Sequence, residues 1–119
     1  MNYLVSNKPV AQGECIIRRI EALPEGMETK AVERAKGGYI ISHSEQGHHH
    51  LLTGGDVMER IDNVPAGMQK FYAILADPQQ FIQDAANPHG GYDLPPGIYE
   101  FRISREFNPF LDEARKVAD

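Results

Sequence analysis

Apolar and polar side chains alternate with a period of two through much of this chain, the pattern of strands that bury one face. In GIYEFRISREF, residues 97 to 107, Ile98, Glu100, Arg102 and Ser104 fall on one side and Tyr99, Phe101, Ile103 and Arg105 on the other. ECIIRRI, residues 14 to 20, is rich in isoleucine, alternates less regularly, and predicts a strand that ends before the turn at LPEG. GYIISH and HHHLLT, separated by Ser44 to Gly47, predict a hairpin. DVMERID after Gly54-Gly55 and QKFYAILA after Pro65-Ala66-Gly67 continue the meander, the latter as the most apolar strand candidate.

Helical spacing is rarer. TKAVERAK, with Thr29 as cap and Gly37-Gly38 as stop, predicts two helical turns. Asp77-Pro78 opens a segment over 78 to 86 whose Phe81, Ile82 and Ala85 fit one side of a short helix, with a strand as the alternative. NPFLDEARKVAD predicts a C-terminal helix: Asn108 is the cap, Pro109 holds the first helical position, acids come early and bases late, and Phe110, Leu111, Ala114 and Val117 recur at helical spacing. Eight prolines and eleven glycines favour short strands joined by turns. The expected architecture is a mainly β single domain over residues 1 to 119, a small barrel or sandwich, ending in that helix.

Composition narrows the function classes. A domain of 119 residues can bury a core without staples, so a bound metal would serve function rather than folding. A net charge of −5 argues against a duplex-binding surface, since phosphate affinity comes from clustered Lys and Arg. Arg102 and Arg105 together with Arg18 and Arg19 would still offer a local anion site if their strands adjoin. The lone Cys15 cannot form an internal disulfide, and no apolar run approaches the ~20 residues that span a bilayer. MNYLVSNKPVAQG lacks the basic start and apolar stretch of a secretory signal, which points to the cytoplasm and to no membrane partner. Gly37-Gly38 and Gly54-Gly55 lack the context of a phosphate loop.

The chemistry concentrates in HSEQGHHH, residues 43 to 50, which holds four of the five histidines. If His43 and His48 flank a four-residue hairpin loop they sit opposite one another, with β-carbons ~5 Å apart on one face. His50 joins them at about 6.6 Å further along the strand, while His49 points the other way. Three neutral imidazoles converging on one point suit a divalent transition metal with an open coordination position, and zinc, iron, nickel and manganese all fit such a set. A fourth ligand would come from His89, Glu45 or Glu100, in that order of preference. Two other readings compete. The histidines are a polar surface of an accessory protein that acts on a partner, or they do metal-free acid/base chemistry, as an unperturbed pKa near 6.5 allows. A small-molecule ligand and a homodimer are compatible with all three.

The order of motifs resembles a family of small, largely uncharacterised proteins carried by bacteriophages and bacteria. The residues that carry the resemblance are LPEG at 23 to 26, HSEQGHHH at 43 to 50, His89-Gly90, LPPGIY at 94 to 99, REFNP at 105 to 109 and VAD at 117 to 119. Where that family carries His-Glu-Glu-His, this chain has ANPH, one potential ligand fewer. More loosely, the His-x-His and the later Pro-x-Gly turn are similar to the two metal motifs of the cupin superfamily. This chain departs from cupins in having Gly54 and Gly55 where a Glu is expected and Glu100 where a later His is expected. The resemblance implies a phage-related β-barrel in the host cytoplasm whose metal acts as a Lewis acid or activates water.

Overall fold

A computed structural model describes residues 2–5, 8–12, 15–42, 49–84 and 91–104. These contain twelve strands and no helix: β1 Asn2–Leu4, β2 Val10–Gln12, β3 Cys15–Ile20, β4 Thr29–Ala31, β5 Arg34–Ala35, β6 Gly38–Ser42, β7 His49–Leu52, β8 Asp56–Arg60, β9 Met68–Leu75, β10 Gln79–Asp84, β11 Gly91–Leu94 and β12 Gly97–Ser104. They form two six-stranded sheets, in the orders β1-β11-β10-β7-β6-β5 and β2-β3-β12-β9-β8-β4. Every pairing is antiparallel except that of β1 with β11. The sheets remain separate, so the expected alternative of a closed barrel is not met. The expected C-terminal helix lies outside the described residues.

Both sheets bury their facing sides in one core. Phe71, Ala73 and Leu75 of β9 and Tyr99, Phe101 and Ile103 of β12 supply it from the second sheet; Leu52, Phe81 and Leu94 supply it from the first. The predicted alternation of β12 is therefore seen, with Tyr99, Phe101 and Ile103 inside. The sheets touch directly where the rings of Phe81 and Phe101 meet at 5.3 Å between centroids. Cys15 sits in the same core, 1% exposed, and burial pushes its thiol up to about 12. Since the thiolate is the nucleophile, Cys15 is expected to resist iodoacetamide at pH 8 in the folded protein and to react at once in urea. Fast labelling of the native protein would contradict this burial.

Two helical expectations are corrected. TKAVERAK forms β4 in the second sheet and β5 in the first, with Val32 packed against the core between them. Local helix propensity in Ala, Glu and Lys amounts to a few tenths of a kcal/mol per residue, and pairing with β8 and β6 plus burial of Val32 outweighs it. Residues 79 to 84 form β10, the alternative named for that segment, because β7 and β11 pair with it on both sides. Its entry is pinned by Thr53, whose backbone N–H donates to Gln80 O at 3.0 Å and whose hydroxyl accepts from Gln80 N at 2.9 Å. Next to it, Gly55 turns the chain from β7 into β8 with φ 111°, and a β-carbon there would press on Leu75 and stand 3.2 Å from Ile74 O.

Among the described residues, no helix is long and apolar enough to cross a membrane.

Candidate metal centre

The candidate site begins on β7. Leu52 pairs with Tyr39 of β6 on one side and Phe81 of β10 on the other, and its side chain is in the core. His50 lies two residues along, so it shares that inner face. Its imidazole stacks on Phe81 at 5.6 Å between centroids and 25° between planes. Phe81 in turn meets Phe101, so the ring of His50 extends an aromatic series that starts between the sheets. His49, half-buried like His50, takes the opposite face of the strand, as the alternation predicted. The stack holds the His50 ring plane, which is what a rigid ligand needs.

The hairpin register differs from the expected one by one residue. A hairpin in which His43 faced His48 would pair Ile41 with His50. The observed pairs Tyr39 with Leu52 and Ile40 with Leu51 follow that register, but Ser42, not Ile41, pairs with His50. A β-bulge at Ile41 absorbs the extra residue, and Ile41 is 1% exposed in the core. Bulges let one side chain re-aim at the cost of ladder hydrogen bonds. His43, Glu45 and His48 lie outside the described residues, as does His89.

The two histidine-bearing segments nevertheless leave the same end of the first sheet. Ser42 and His49 bound residues 43–48, and Asp84 and Gly91 bound residues 85–90. His49 and Asp84 are backbone partners in the β7–β10 ladder, while Ile82 and Gly91 are partners in the β10–β11 ladder. Adjacent strands lie ~4.8 Å apart, so the anchors of both segments are immediate neighbours.

Glu100 does not belong to this centre. It alternates with Tyr99 and Phe101, so it lies on the second sheet's outer face, away from the core that His50 faces. There, 6% exposed, its carboxylate accepts from Tyr72 Oη at 2.7 Å and from Arg18 Nη2 at 3.2 Å. The three residues are direct cross-strand partners in the β9, β12 and β3 ladders. Desolvation first, and then the Glu100 carboxylate, raises the Tyr72 phenol above its ordinary range. Nearby, Arg60 Nε donates to Asp62 Oδ1 at 3.0 Å. That guanidinium, with the Glu28 backbone N–H, holds the Asp62 carboxyl below the usual range. This network satisfies a buried carboxylate, a job that no short motif announces because its members are 28 and 82 positions apart in the chain.

Of the four arginines expected to form an anion site, Arg18 and Arg102 share the outer face, while Arg19 turns the other way and donates to Pro96 O at 2.8 Å. Arg105 lies outside the described residues. A depression of about 780 Å³ beside Arg19 is lined by Ile20, Glu21, Gly97 and Ile98, and offers no pair of ligands or nucleophile. Among the described residues, no group of three His, Cys, Asp or Glu side chains is placed to hold a metal ion. Phe81, the platform under His50, is the site residue that the sequence did not single out. Its signal was the alternation of QQFIQD, which also fits the short helix considered first.

No curated protein and no solved structure matches the chain. A family model matches residues 11–104, a span that ends on the last residue of β12. The chain belongs to that family, the domain of unknown function DUF8820.

Proposed function

We propose that this protein binds a divalent transition metal at the end of the first sheet, through His43, His48 and His50, with His89 as the fourth ligand. One observation carries the reading: the pairing of His49 with Asp84 anchors the segment that contains His89 beside the segment that contains the other histidines. Chain connectivity then keeps His89 within two residues of Gly91, a reach of about 7 Å. Soft-to-borderline imidazole donors suit zinc, iron, nickel or manganese. The metal would polarise a bound small molecule or activate water, in a phage-related cytoplasmic protein. The aromatic stack under His50 supports the reading, because it orients one donor before any metal arrives.

The test uses untagged protein, loaded with zinc, nickel, manganese or iron(II) in turn, desalted, and measured by plasma mass spectrometry. About one ion per chain is expected for at least one metal, and its loss in His48→Ala and in His50→Phe. The second variant keeps a ring on Phe81 while removing the nitrogens, so far-UV circular dichroism should match the parent. No bound metal in any loaded sample, or unchanged metal in both variants, overturns the proposal.

A further inference from the structure

The outer face of the second sheet carries side chains in rows that cross the strands. One row runs Ile16, Arg102, Lys70, Arg60 and Thr29, each a direct backbone partner of the next. Three cations thus stand side by side across β12, β9 and β8, on a chain whose net charge is −5. Like charges directly opposite each other in an antiparallel pair are destabilising. Arg60 is compensated by Asp62. Arg102 and Lys70 take part in none of the ion pairs found among the described residues. Arg102 is exposed, and its neighbour Ile16 is 46% exposed, a large apolar side chain left in water at the end of a basic row.

We infer that this row docks an acidic polypeptide segment carrying an apolar side chain beside its carboxylates. Charge complementarity picks the sign, and spacing picks the pattern. From Ile16 to Arg60 is three strand steps, about 14 Å at ~4.8 Å each; alternate residues of an extended peptide advance about 6.7 Å. A peptide laid along the row with the same-face sequence Leu, Glu, Glu sets the Leu on Ile16. The first carboxylate then falls between Arg102 and Lys70, and the second beyond Lys70 on the Arg60 side, where Asp62 already holds the Arg60 guanidinium. Single-stranded nucleic acid is disfavoured because base stacking needs exposed aromatic rings. Among the described residues, the aromatic side chain on this face is Tyr72, 1% exposed and bonded to Glu100. The Arg18–Glu100–Tyr72 network occupies the next row of the same face, and the basic row owes nothing to the histidines of the first sheet.

The experiment is fluorescence anisotropy with the full chain and fluorescein-labelled Gly-Leu-Ser-Glu-Ser-Glu-Gly, alongside the same peptide with Gln for both Glu and a labelled 20-nucleotide oligo(dT). The expected result is saturable binding of the acidic peptide that weakens at least tenfold in Arg102→Glu/Lys70→Glu and between 50 and 300 mM salt, as an exposed charge interface should. Lys36→Glu, on the turn between β5 and β6, should bind like the parent, and all variants should melt alike. Equal binding of the Gln peptide, tighter binding of oligo(dT), no binding of any probe, or concentration-dependent self-association lost in the double variant would each overturn the inference.

Discussion

Phe101→Ala is expected to lower the free energy of unfolding by about 3–5 kcal/mol, the range for deleting a buried aromatic ring where the cavity cannot collapse. Phe101 is fully buried and sits between Ile17 and Phe71 on the neighbouring strands, with its ring against Phe81 of the opposite sheet. The cavity would open at the one described ring contact that bridges the sheets, where the backbone on both sides is held by ladders. Closure would require shifting whole sheets. Ile16→Ala, on the same sheet but 46% exposed, should change stability by no more than about 0.5 kcal/mol. Urea unfolding followed by circular dichroism measures both, with equal m-values as the check on two-state behaviour. A loss under 1 kcal/mol for Phe101→Ala would mean that the two sheets do not share the core described here.

Metal affinity at the proposed centre should fall by roughly 4 × 10⁵ between pH 7 and pH 5, about 25-fold for each of its four histidines. An imidazole binds metal only when it has lost its proton, so protons compete and affinity drops as pH falls. With free imidazole near 6.5, each histidine ligand costs about 25-fold over that interval, and the four proposed ligands multiply to roughly 4 × 10⁵. The direction is fixed: binding is strong above the imidazole pKa and lost below it. His50→Phe should flatten the profile by one histidine's worth as well as weaken binding. Competition titrations with a chromophoric chelator at pH 5, 6 and 7 supply the curve. A profile flat to pH 5 would assign the ion to carboxylates and remove the histidines from the centre.

Burial in the strands was legible where one face alone meets the core. Tyr99, Phe101 and Ile103 alternate with Glu100, Arg102 and Ser104, and that period needs no partner strand to be recognised. TKAVERAK misled because helix propensity is local, whereas β4 is made by pairing with β8, distant in the chain, and β5 by the tight hairpin it forms with β6. The bulge at Ile41 was invisible for a related reason: it exists only in the register between β6 and β7. Glu100 showed its orientation in the pattern but not its partners. Tyr72 and Arg18 reach it only through the register of two other strands.

The candidate centre divides along the same line. Histidine clustering over 43 to 50 and the opposed faces of His49 and His50 are properties of composition and of strand geometry, which any two-residue repeat imposes on its own. That His49 and Asp84 are ladder partners, that His50 rests on Phe81, and that Arg102, Lys70 and Arg60 stand in one row are decided by which strands pair and in what register. Local spacing sets where a side chain points relative to its own backbone; only the hydrogen-bonded ladders between distant segments set what it meets.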